Sequence, residues 1–198
     1  MQRSYFIRNL VIFMAILFVL LFLVVKIFGG HPKKQPVGPA APVVKPLPEY
    51  SDTYAEVSYT TDGHIVGEDQ KRAIKITVDQ FQRKVDILGG YENNVIEEHT
   101  FANNQTSYEV FLKAINNEGF LVKRTNSKSP ANPEGQCPLG TRTILELNDS
   151  GDQLSRLWAS SCGTNVGNSG GNVSALQILF QRQITDYNKI ISNSKVQL

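Results

Sequence analysis

The stretch Val166–Asn172 reads VGNSGGN, and Gly-Asn-Ser-Gly-Gly is the kind of loop that can present a nucleophilic serine. A serine hydroxyl attacks only beside a base, and the base needs a carboxylate to orient it. His64 in DGHIVG and Asp86 in VDIL supply those residue types, in the order His, Asp, Ser. His64, however, sits in the polar turn TTDGH. A second reading explains the loop with less. CGTNVGNSGGN is the exit from a hairpin, and Asn172 or Ser174 caps the helix that follows by accepting a free N–H. A glycine-rich loop before a helix can also cradle an anion. The Gly-Lys-Ser/Thr of a nucleotide loop is absent. Helix rather than strand is therefore expected after Gly171.

Cys137 and Cys162 are the only cysteines. They stand nearly equidistant from a turn near Ser150, so they should face each other across the open end of a hairpin, where a disulfide can form. Closing such a loop stabilises by roughly 3.5 kcal/mol on the chain-entropy account. A reactive thiol would need an activating histidine or helix N-terminus nearby, and a zinc site would need more ligands. His99 shares a strand face with Glu97, a pairing that could serve acid–base or metal chemistry but is the ordinary content of a solvated face. Trp158, the lone tryptophan, lies on an apolar-alternating strand and reads as core packing; a stacking platform is the alternative. These readings name no catalytic residue, no cofactor and no metal ligand.

The elements that must position these residues follow from periodicity. Ala55, Val57 and Tyr59 alternate with Glu56 and Ser58, and Ile74, Ile76 and Val78 alternate with Lys75 and Thr77. Both read as half-buried strands. Lys84–Leu88 and Val95–Phe101 read as two more, joined by a Gly/Asn turn. Thr106 and Glu109 have capping-box spacing, and Tyr108, Phe111, Leu112 and Ile115 form the apolar stripe of a helix that stops at Gly119. Phe120–Val122 begins a further strand. Arg142–Ser160 is a hairpin turning at Asp149–Asp152. A last helix carries Val173, Leu176, Leu179, Phe180, Ile184, Tyr187 and Ile191 on one stripe.

The N-terminal part has a different composition. Leu10–Phe28 is apolar but for Lys26 and would span roughly 28 Å as a helix, close to the hydrocarbon thickness of a bilayer. It is too long for a secretory signal core, and GPAAP at 38–42 comes too late for a cleavage site. His31–Pro48 holds six of the nine prolines and favours polyproline II, a spacer of up to roughly 55 Å. Residues 1–48 carry six basic side chains and no acid; residues 49–198 carry 14 basic and 18 acidic. An acidic outer domain has no electrostatic footprint for nucleic acid. Charge alone leaves the orientation open, since both flanks of the apolar segment are basic. The cysteine pair favours an oxidising compartment for the domain, hence a cytoplasmic N-terminus.

The stretches YTTDGHIVGED, GQCPLGTRTILELNDSGDQLSRLWASSCG and GNVSALQILFQRQITDYNKI resemble those of single-pass membrane proteins of small-genome bacteria of the Saccharibacteria/Patescibacteria type. The resemblance runs from about Tyr59 to Asn188; Thr185 stands where those proteins have proline. It implies a bacterial envelope, where the Asn-x-Ser/Thr triplets at Asn104, Asn148 and Asn172 have no bearing on glycosylation, and it transfers no functional residue. The GNSGG loop resembles that of trypsin-like proteases. Their two barrels would place several strands after Ser169 and at least two before His64, and neither is expected here. The order of strands, helix, strands and helix is also similar to that of small secreted metalloprotease inhibitors.

Together these readings predict an α+β fold: an N-terminal transmembrane helix and Pro-rich linker, then an antiparallel β-meander with two amphipathic helices packed on one face. The expected segments are a cytoplasmic tail 1–9, a transmembrane signal-anchor 10–28, a linker 29–49, an extracytoplasmic domain 50–191 and a frayed tail 192–198. The expected function is a membrane-anchored extracytoplasmic binding module of a bacterial cell envelope, not an enzyme. It would touch lipid through residues 10–28, meet a protein partner in the envelope and bind no nucleic acid. An inhibitor or accessory of an envelope protease or wall enzyme is the alternative, and a GNSGG-type serine hydrolase a third.

Overall fold

Six alternating segments pair into a single antiparallel sheet. The computed structural model describes residues 44–163 and 165–198 and, apart from them, Met14 alone. The apolar segment 10–28 and most of the Pro-rich run lie outside the described residues; among those described, no helix is long and apolar enough to cross a membrane. The strands are β1 (Glu56–Asp62), β2 (Arg72–Val78), β3 (Gln82–Gly89), β4 (Asn94–Ala102), β5 (Arg142–Asp149) and β6 (Asp152–Ser160). Their order across the sheet is β4-β3-β2-β1-β5-β6. The first four form a meander. The chain then leaves one edge and must return to the free side of β1. Helix α1 (Gln105–Asn117) makes that crossing over one face of the sheet. Helices α2 (Val173–Gln181) and α3 (Tyr187–Ser194) follow β6.

The period of two along each strand decides which face is which. Val57 and Tyr59 of β1 lie opposite Val78 and Ile76 of β2, and opposite Leu147 and Leu145 of β5. These residues pack with Val85, Leu157 and the buried stripe of α1, Tyr108, Phe111, Leu112 and Ile115. Phe180 of α2 is the hub. Its ring meets Tyr59 at 5.5 Å, Phe111 edge-on at 5.0 Å and Phe120 at 5.9 Å. Aromatic pairs at such spacings each add about 0.5–1.5 kcal/mol beyond the area they bury. The β5–β6 hairpin turns through Ser150 and Gly151, both at positive φ, as a two-residue turn between right-twisted strands requires.

Several local expectations differ from the structure. Asn104, not Thr106, caps α1: its Oδ1 accepts the Ser107 N–H at 2.9 Å, which places Thr106 inside the first turn. Glu109 pairs instead with Lys113 one turn on, at 2.6 Å. Phe120–Val122 is no sheet strand, because its backbone is tied to the loop before α2, with Gly170 N–H donating to Val122 O at 2.7 Å. The last helix is two helices. Ile184 N–H bonds to Gln181 O, a tightened 3₁₀-type turn, and Asp186 then takes the left-handed conformation, which Asp tolerates. The bend returns Tyr187, Ile190 and Ile191 to the core. The layer over the sheet thus has three helices. The end of the expected linker belongs to the domain, since Leu47 in the 3₁₀ turn Leu47–Tyr50 is wholly buried. At the other end α3 runs to Ser194, and Val196 and Leu198 rest on the core, where fraying was expected.

Candidate functional site

The face of the sheet turned away from the helices is polar yet largely buried. One cross-strand row is Asp86, Lys75, Thr60 and Ile144, ending on Trp158. The next is Lys84, Thr77, Ser58, Glu146 and Arg156. Ser58, Thr60, Thr77 and Asp86 are all buried. Two chain segments rise from this floor. Asn132–Gly135 form one wall; Ile65, Lys71, Tyr91, Asn93 and Val95 form the other. Between them lies an open cleft of about 590 Å³, within the range of small-molecule sites.

Three sets of bonds hold the cleft in shape. Asp62, beside the floor, is gripped by Lys71 and by Arg142, whose Nη2 is 2.7 Å from Oδ2. Arg142 also donates from Nη1 to Gln136 O at 3.0 Å, so one buried guanidinium ties the wall segment to the sheet. A buried ion group of this kind is costly to break, because removing one partner strands the other charges. Ile65 N–H donates to Pro138 O at 2.9 Å and joins the two walls at one end. Cys137 and Cys162 lie at disulfide distance, with Cα atoms 5.7 Å apart, and anchor the wall to the end of β6. Trp158 is wholly buried beneath this segment and donates Nε1–H to Pro130 O at 2.8 Å. It is part of the support, not a platform open to ligand.

The electrostatics of the cleft are balanced. Lys71, Lys75, Arg142 and Arg156 line it, and so do Asp62, Asp86, Glu134 and Glu146. Glu146 is shared by Arg156 at 3.0 Å and Lys75 at 3.9 Å. Asp86 stands out. It is 4% exposed, and Lys84 pairs with its Oδ2 at 3.1 Å, while Oδ1 is buried and has no hydrogen-bond partner. Burial pushes its carboxyl above the ordinary value against the pull of Lys84. Burial pulls on Lys84 in the opposite sense, but Asp86 and Glu98 together hold its ammonium above the usual range. A buried acceptor left unpaired costs free energy and marks a place where a donor would be gained.

The residues singled out for hydrolase chemistry are not assembled. Ser169 is 1% exposed; its Oγ accepts the Gly171 N–H at 3.4 Å, its N–H donates to Trp158 O, and Arg124 donates to its carbonyl. His64 lies in the β1–β2 connection, and Asp86 faces the cleft from β3. The loop's composition has a packing cause. At Gly167, φ is +121° and a Cβ would stand 2.5 Å from Trp158 O; at Gly171 a Cβ would collide with the Gly119 carbonyl. Helix α2 follows, and the Asn172 side chain caps it by accepting the Ala175 N–H at 3.2 Å. His99 Nε2 meets Glu97 Oε1 at 2.7 Å on the half-exposed edge strand β4. Among the described residues no cluster of three or more His, Cys, Asp or Glu could hold a metal ion.

The cleft itself was missed in the sequence. Lys75 and Glu146 each read as the polar side of an alternating strand, and Arg156 as a residue on the same face as Leu154 and Trp158. The available signals were Ser58, a small hydroxyl residue between Val57 and Tyr59, and Tyr91, an aromatic directly after the turn glycines. The class of protein defined by this fold and cleft is an α+β domain with helices on one face of its sheet and a walled polar cleft on the other. No protein-family model matches the chain, and no curated protein matches it either.

Proposed function

We propose that the protein is a membrane-anchored binding module of a bacterial cell envelope, with the cleft on the helix-free face of its sheet as the binding site. One observation carries the reading: a sheet face that should be solvent-washed is instead walled, braced by a buried Arg142–Asp62–Lys71 group and left with an unpartnered carboxylate oxygen. A site of that build selects a ligand by placed polar groups in a preformed cavity. The apolar segment 10–28, the proline-rich spacer and the resemblance to single-pass envelope proteins support the setting: lipid contact through the anchor, an extracytoplasmic domain and a partner in the envelope. The scattered positions of Ser169, His64 and Asp86 favour binding over hydrolysis.

In-cell photocrosslinking of the full chain tests it. A photoreactive side chain at Asn93, on the cleft rim, should capture an extracytoplasmic component. The same group at Lys113, on the exposed face of helix α1, should not. Capture from Lys113 alone, or from neither position, refutes the proposal.

A further inference from the structure

The cleft's lining also restricts the chemistry of its ligand, given the binding-module reading above. Tyr91 stands at the mouth with 48% of its surface exposed, yet it is not free to turn. Its hydroxyl donates to Val66 O at 2.7 Å, its backbone N–H donates to the Glu68 carboxylate at 3.1 Å, and Lys71 Nζ stands over the ring, 5.9 Å from its centroid. An exposed aromatic held in place has already lost the freedom that binding would otherwise remove. Such a ring offers an apolar, π-bearing surface at low entropic cost.

Behind it the polar groups come in both senses. Glu134 and Glu146 offer carboxylate acceptors. The Lys75 ammonium, about a third exposed and 3.9 Å from Glu146, has donors to spare. The four cations and four carboxylates of the lining cancel. A polyanion such as nucleic acid would need an excess of positive charge. A lipid chain would need a continuous apolar lining. An extended peptide would seek the unpaired backbone of an edge strand, whereas the cleft floor lies across β3, β2, β1 and β5.

The geometry points to a neutral saccharide as the ligand: one sugar ring laid with its C–H face on Tyr91, and hydroxyls donating to the carboxylates that line the cleft and accepting from Lys75 Nζ. A sugar carries donors, acceptors and an apolar face on one rigid frame, and it bears no net charge. The cleft volume of about 590 Å³ suits a short oligosaccharide better than a single ion.

The test uses the full chain in detergent micelles, titrated calorimetrically with neutral hexose and N-acetylhexosamine oligomers, with uronate oligomers and with unstructured peptides. Neutral oligomers should bind, and raising salt should change their affinity by less than about twofold, since no counterions are released. Tyr91→Ala should weaken binding about tenfold. Tyr91→Phe, which keeps the ring and loses the bond to Val66, should weaken it less. Binding of uronates alone with steep salt dependence, binding of peptides alone, or neutral-sugar binding indifferent to Tyr91→Ala overturns the inference. If no saccharide binds while Asn93 still captures a partner, the ligand class falls and the binding site stands. If both fail, both readings fall.

Discussion

Removing the Cys137–Cys162 bridge tests how this domain is held together. The perturbation is the double substitution Cys137→Ala with Cys162→Ala, which leaves no thiol behind. The bridge spans 25 residues. On the chain-entropy account, a loop of that length restricts the unfolded chain by about 3.5 kcal/mol. For a domain of this size that corresponds to a fall in Tm of about 10 °C. The native wall should survive without the bridge, because other bonds hold it. Arg142 holds Gln136 O at 3.0 Å, Ile65 holds Pro138 O at 2.9 Å, and Trp158 holds Pro130 O at 2.8 Å. None of these bonds needs the sulfurs. The assay is urea and thermal unfolding of both proteins in the same detergent, followed by the emission of the only tryptophan. Before unfolding, the emission of Trp158 should be the same in both. A loss of less than about 1 kcal/mol refutes the entropic reasoning. So does a red-shifted native emission, because it would mean that the bridge holds the folded wall and not merely the unfolded chain.

Phe180→Ala should destabilise by about 3–5 kcal/mol, the range for a buried phenylalanine whose neighbours cannot collapse into the space; Tyr59, Phe111 and Phe120 all lose their shared ring. Urea unfolding measures it, and a loss under about 1.5 kcal/mol would show that Phe180 is not the hub of the core. Asp86 makes a pH-dependent contribution with a definite sign. Burial holds its folded carboxyl above the ordinary 3.8, so the folded state binds this proton more tightly than the unfolded chain. Its share of stability is complete below that value and declines as pH rises through the folded one. Asp86→Asn should remove this decline from a series of urea midpoints taken between about pH 3 and 8, and an unaltered pH profile would contradict it.

Much of the fold was legible because burial on the helix side writes a plain alternation. Val57 and Tyr59, Ile74, Ile76 and Val78, and the stripe of α1 are read by any periodicity argument. The left-handed Asp186 was not legible, since the apolar stripe continues straight through it. The cap at Asn104 was hidden by a better-looking pair two residues later. The candidate site was obscured for a different reason. Its floor joins residues 60, 75 and 86 of the meander to residue 144, and to the wall that precedes it in the chain, only because β5 inserts beside β1. Strand order is a long-range property, and the short windows that reveal strands do not carry it. The serine loop is the converse case: a local motif that suggested chemistry and proved to be packing, once Gly167 and Gly171 were seen against the backbones they touch.

The burial of Leu47 has a mechanical consequence. Any pull along the chain that precedes the domain arrives first at Leu47 and Tyr50, which are seated in the core, and passes next into β1. That strand is laddered along both sides, to β2 and to β5. Drawing it out lengthwise must shear two ladders together instead of unzipping one. The same strand carries Thr60 and Asp62 on the lining of the cleft. Tension between a tether and a captured ligand would therefore enter the sheet through this central strand and cross its ladders to the neighbouring strands that line the cleft, and α2 and α3 would lie outside the load path.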